Sequence, residues 1–149
     1  MKKKPFFIKI LILTYLLVTG IEAKESVYLD KGIKLFNKKE YEKSKILFER
    51  DLVFDPKSEK SYLYLAKIFK NAENDEEEEI NLNSVLLLNP KNDEALYMLT
   101  LLKIKQSNYD KANELIKKFT LVCKSFCSKK NEIEDKLKKL NPSNEQDKN

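Results

Sequence analysis

From Ser26 onward, apolar residues recur every three or four positions in blocks separated by short polar or Pro-containing breaks. That spacing places them on one face of a helix rather than along a strand. Seven helices are predicted: Ser26–Asn37, Glu40–Phe54, Glu59–Asn71, Asp75–Leu87, Asp93–Gln106, Tyr109–Val122 and Ser128–Leu140. Asp55-Pro56 and Asn89-Pro90 end the second and fourth, because Pro lacks an N–H and pushes its predecessor out of the helical region. Ser26, Ser58 and Asn92 stand at cap positions, with acids following in the first turns. Ile133, Leu137 and Leu140 form one stripe on the seventh helix.

The blocks also repeat. Asp55-Pro56-Lys57-Ser58 returns as Asn89-Pro90-Lys91-Asn92, 34 residues later. Each copy leads into an apolar run, Tyr62–Ala66 and then Leu96–Leu99. A period of this length that reads turn, helix, turn, helix predicts a stacked array of helical hairpins. The fold class is all-α, a right-handed solenoid of three helix pairs with an end helix covering the last open face. The units are 25–58, 59–92 and 93–124, followed by a capping helix at 125–140 and a polar, disordered tail at 141–149.

These residues resemble the tetratricopeptide repeat (TPR) family. In the first unit Tyr28, Gly32, Leu35, Tyr41, Ser44, Phe48 and Pro56 fall at the family's spacing. In the second, Tyr62, Leu65, Ala66, Phe69, Leu82, Val85 and Pro90 do so. In the third, Leu96, Leu99, Tyr109, Ala112, Ile116 and Phe119 do. Gly32 and Ala66 are expected at the crossings of paired helices, facing Ser44 and Ala112. Four positions depart from the pattern. Asp51, Glu78 and Lys103 stand where small or apolar residues are usual, and Lys124 replaces a unit-ending Pro. These departures make the second helix of the middle unit, which carries Glu78, the place where a slipped register or looser packing is expected.

The resemblance implies a non-enzymatic module that binds a peptide or helix of a partner protein in a concave groove lined by the first helix of each unit. Mapped onto this chain, the groove residues are Leu29, Ile33, Phe36, Leu63, Lys67, Lys70, Asn71, Tyr97, Leu101, Ile104 and Lys105. Leu29 and Ile33 stand where some members clamp a terminal carboxylate with Lys and Asn, so that activity is not implied. A homomeric contact is the alternative use of this face.

The N-terminus has a different character. Lys2, Lys3 and Lys4 precede an apolar run from Pro5 to Val18, broken only by Lys9, and small residues follow up to Ala23. This is the order of a secretory signal peptide over residues 1–23, cleaved after Ala23. An uncleaved anchor is the alternative, which would make the chain a membrane-tethered adaptor facing the periplasm. Removing that segment changes the charge from +5 to +2, because Lys2, Lys3, Lys4, Lys9 and Glu22 go with it. The basic sequence pI of about 9.0 is therefore no argument for nucleic acid. The expected location is secreted or periplasmic.

Candidate chemistry is sparse. There is no His, no Gly-rich phosphate loop and no pairing of nucleophile with base, so neither catalysis, a cofactor nor a metal is expected. Asp75–Glu79 is a run of five acids, read as a solvated helix N-terminus. Cys123 and Cys127 are the only cysteines. At i,i+4 in a continuous helix their Cβ atoms would stand ~5–6 Å apart, beyond disulfide reach, so a bridge requires a turn within Lys124-Ser125-Phe126. A structural disulfide, two free thiols and a redox-active pair remain open, although the two-residue spacing of redox motifs is absent.

Overall fold

The structure, a computed structural model, describes residues 26–140. The signal-segment and tail expectations lie outside those residues. Within them the chain forms α1 (Val27–Asn37), α2 (Tyr41–Phe54), α3 (Glu59–Asn71), α4 (Asp75–Leu88), α5 (Asp93–Lys105), α6 (Tyr109–Val122) and α7 (Lys130–Leu140), with a 3-10 turn at Cys127–Lys129. No strand occurs among the described residues. α1 pairs with α2, α3 with α4 and α5 with α6; α2 then packs on α3 and α4 on α5. α7 lies across α5 and α6, closing the end of the solenoid as expected. Ile133 and Leu137 carry that contact from buried positions, whereas Leu140, expected in the same stripe, is exposed in the last turn.

The hairpins close at small residues. Gly32 faces Phe48 so closely that a Cβ there would lie 2.6 Å from a ring carbon. The Ser44 hydroxyl donates to the Gly32 carbonyl at 2.8 Å. Tyr64 fills the space between the first two units, stacked on Phe48 and edge-on to Phe36, with ring centroids 5.0 Å apart in both cases. Two apolar clusters result. One gathers Leu29, Phe48, Leu65 and Ile68. The larger runs from Ala66 and Leu82 through Leu96, Leu99 and Phe119 to Ile133 and Leu137.

The turns within hairpins obey the repeat as strictly as the helices do. Lys39, Glu73 and Ser107, each 34 residues apart, have φ of 62°, 56° and 56°. The N–H of the next residue reaches back five positions in every case: Glu40 to the Leu35 carbonyl, Asn74 to Phe69 and Asn108 to Lys103. These are Schellman turns, in which the left-handed position usually belongs to Gly. A side chain there strains the backbone by about 1 kcal/mol. Lys39→Gly, Glu73→Gly and Ser107→Gly are each expected to raise stability by about 0.5 kcal/mol, the gain being reduced by the greater freedom of Gly in the unfolded chain. Urea unfolding of the single and triple variants measures this.

Two carboxylates at helix N-termini hold the turns that end hairpins. Glu59 Oε1, at the start of α3, accepts from the Asn89 and Asn92 side-chain amides at 3.0 and 2.5 Å. Asp93 Oδ2, at the start of α5, accepts from the backbone N–H groups of Lys124, Ser125 and Phe126 at 2.7, 2.7 and 3.0 Å. Burial opposes the Asp93 charge, but those three N–H groups outweigh it and hold the carboxyl below its ordinary value. Asn92 caps α5 as expected, accepting from Ala95 N at 2.7 Å. Ser58 does not cap α3 with its side chain; its hydroxyl instead supports the Asp51 carboxylate.

The departures from the repeat pattern are built into the fold. Asp51 is 1% exposed and takes a hydrogen bond from the Ser61 hydroxyl at 2.6 Å. Burial opposes its charge, yet the Ser26, Ser61 and Ser58 hydroxyls together keep its carboxyl below the ordinary value. Lys103 is buried but pairs with Glu79 at 2.5 Å and donates to Gln106 at 2.9 Å. Glu78 corrects two expectations. α4 packs closely on α3 instead of loosely, and the acidic run is not wholly solvated, because Glu78 is only 4% exposed.

Candidate functional site

A cleft of about 300 Å³ opens where α1, α3 and α5 face one another. Phe36 comes from α1, Lys67, Lys70 and Asn71 from α3, and Glu94, Tyr97 and Met98 from α5; Phe126, beyond α6, closes one side. The helical repeat produces this convergence. Residues 67, 70 and 71 share one face of α3, and 94, 97 and 98 share the facing side of α5.

Polar contacts fix the walls. Lys67 Nζ lies 2.8 Å from Glu94 Oε1, across the gap between the second and third units, and 4.9 Å from the Tyr64 ring centroid. Tyr97 donates its hydroxyl to Glu132 Oε1 at 2.7 Å, so the end helix takes part in holding the cleft. Burial and that carboxylate push the Tyr97 hydroxyl up to about 12, so it remains a donor at neutral pH. Its ring also leans on Phe126, with centroids 5.8 Å apart. Lys70 and Asn71 are exposed at the rim. The cleft therefore has an apolar floor, one internally neutralised pair and, at its rim, the Lys70 ammonium, which makes no ion pair with another described residue.

Of the residues expected to line a groove, Phe36, Lys67, Lys70, Asn71 and Tyr97 come together here. Leu29 and Ile104 do not, because each is buried in the core with 4% and 3% exposure. Ile33, Leu63 and Leu101 are half-buried against the two core clusters. Lys105 stands apart, paired with Asp75 at 2.6 Å. Glu94, Met98 and Phe126 were not anticipated. Glu94 and Met98 follow from continuing the Tyr97 face back by one turn and forward by one residue. Phe126 had no periodic signal, since it lies after the last repeat.

Cys123 and Cys127 form a disulfide with Cα atoms 5.2 Å apart. The bridge spans the turn whose three amides Asp93 gathers, so one loop is closed covalently at its ends and held electrostatically at its centre. Among the described residues no group of His, Cys, Asp and Glu is placed to hold a metal ion.

No family model and no curated protein sequence matches the chain. Solved structures do match it in shape. The first TPR of Spaghetti (RPAP3), bound to the HSP90 peptide SRMEEVD, superposes with a TM-score of 0.68 at 16% identity, over 76% of this chain and 90% of that one. The Sgt2 TPR domain from Aspergillus fumigatus gives 0.66 at 17% identity, over 82% of each chain.

Proposed function

The fold is that of tetratricopeptide repeat domains, and from that premise we propose that this chain is a non-enzymatic protein-interaction module that takes a partner segment in the cleft between α1, α3 and α5. The observation that carries this reading is the cleft itself, which sets an apolar floor of Phe36, Met98 and Phe126 beside the exposed ammonium of Lys70. An apolar anchor side chain flanked by Asp or Glu fits that arrangement. A solved neighbour holding an acid-containing peptide supports the same class of ligand. The module works outside the cytoplasm, in a periplasm or equivalent space. The Cys123–Cys127 bridge supports that location, since disulfides persist in oxidising compartments.

Selection from a displayed random-peptide library tests the cleft. Enriched peptides are expected to pair a large apolar residue with a neighbouring acid. Lys70→Glu should weaken them roughly tenfold, as expected when an attractive charge at a rim becomes a repulsive one, with helicity unchanged. Peptides whose affinity is indifferent to Lys70→Glu and to salt would argue against the reading. Tyr97 is unsuitable as a probe, because its loss would also remove the hydrogen bond to Glu132 of α7.

A further inference from the structure

Most of the exposed large apolar residues described gather at one edge of the solenoid; Ile46 and Ile80, within α2 and α4, and Leu140, at the end of α7, stand apart from it. α2 ends in Val53-Phe54, α4 in Leu87-Leu88 and α6 in Leu121-Val122. Val53, Leu87 and Leu121, each 34 residues apart, are 75%, 84% and 83% exposed. Phe54 and Leu88 are exposed too, while Val122 is half-buried. Val27 opens α1 at the same edge, next to Tyr28, whose ring stacks on Phe54 at 5.5 Å. Single exposed apolar residues need no explanation; the same exposed position in three successive units does.

Positive charge accompanies these tips. The turn after each of these helix ends presents an exposed lysine, Lys57, Lys91 and Lys124. None of the three is ion-paired among the described residues. The acids nearby are occupied. Asp55 caps the Lys57 N–H, Glu59 binds Asn89 and Asn92, and Asp93 binds the amides of 124–126. The opposite edge, at the turns Asn37–Glu40, Asn71–Asn74 and Lys105–Asn108, has no large apolar residue exposed. The described chain also enters the solenoid at the apolar edge, with Ser26 beside Asp51. The apolar run of residues 5–18 is thus joined to the fold there for as long as it remains attached.

We propose that this edge docks on an anionic lipid bilayer, the leucine and valine tips entering the acyl boundary and the three lysines meeting acidic headgroups. Apolar tips that project beside unpaired cations suit a flat, negatively charged, apolar-cored surface. No helix among the described residues is long and apolar enough to cross a membrane, so the contact is peripheral. It leaves the concave cleft open, since the tips stand at the ends of the outer helices α2, α4 and α6.

The chain has no Trp, so one introduced indole reports its own surroundings. Leu87→Trp places it on the edge, and Ala72→Trp places it in an exposed turn at the opposite edge. Protein recovered after export is mixed with vesicles of phosphatidylcholine alone, or with phosphatidylglycerol added, carrying brominated acyl chains. Leu87→Trp emission should shift to the blue and be quenched by the phosphatidylglycerol vesicles only, with Ala72→Trp unaffected. Adding Lys57→Gln, Lys91→Gln and Lys124→Gln should lower partitioning roughly a hundredfold. The proposal is overturned by an unquenched Leu87→Trp, by equal quenching of Ala72→Trp, or by equal quenching on neutral vesicles. A lipid-free blue shift that grows with protein concentration also overturns it, assigning the row to a second copy of the chain.

Discussion

Glu78→Gln is expected to leave stability nearly unchanged around pH 4.5 and to raise it by about 2–3 kcal/mol near pH 8. Glu78 occupies the position that Ser44 and Ala112 fill in the other two units, where paired helices cross. Burial there pushes its carboxyl up to about 7. Lys70 on α3 and Lys105 on α5 pull in the opposite direction, and Asp75 on its own helix adds to the rise. The folded state therefore holds a proton that the unfolded chain releases near 4.5. Native stability falls as pH climbs from that value to about 7, then levels off. Glutamine keeps the shape and cannot ionise, so the variant's advantage should appear only across that window. Urea midpoints at both ends of it decide the matter. An equal gain at both would place the effect in packing instead of charge.

Gly32→Ala is expected to cost about 3 kcal/mol, although alanine normally favours a helix interior over glycine by about 1 kcal/mol. The sign is the diagnostic feature. The new methyl would meet the Phe48 ring at 2.6 Å. That ring is fully buried and pinned by Tyr64, so it cannot swing aside. Phe48→Leu removes the obstructing ring edge and loses packing of its own. In the double variant the two penalties should fall short of their sum by about 1–2 kcal/mol. Additive losses would show that the close approach at Gly32 is not what limits this crossing.

The fold was readable because its punctuation is local. Pro56 and Pro90 stop helices by covalent geometry alone, and the 34-residue recurrence sets the register without any knowledge of packing. The cleft was only half readable. Phe36 and Leu29 share the same periodic stripe, and nothing in a stripe tells which member reaches the surface; that depends on how far the neighbouring unit is pulled in. Ile104 sank into the core for the same reason. Phe126 entered from beyond the last repeat, carried by the turn that Asp93 and the disulfide close. Spacing fixed the condition for that bridge, a turn between the cysteines, but not whether the condition is met. Glu78 was flagged as an anomaly, though its burial could not be told from a local slip of the helix.

The separation of the two apolar clusters has a mechanical consequence. The first hairpin leans on the rest through Tyr64, Leu65 and Ile68 of α3 and the Asp51–Ser61 hydrogen bond, whereas the later hairpins and the end helix share one larger continuous interior. The smaller cluster is therefore expected to loosen first, so that fraying begins at the entrance and not at the capped terminus. Phe36 hangs from that entrance, so the mouth of the cleft can breathe while its far wall stays fixed.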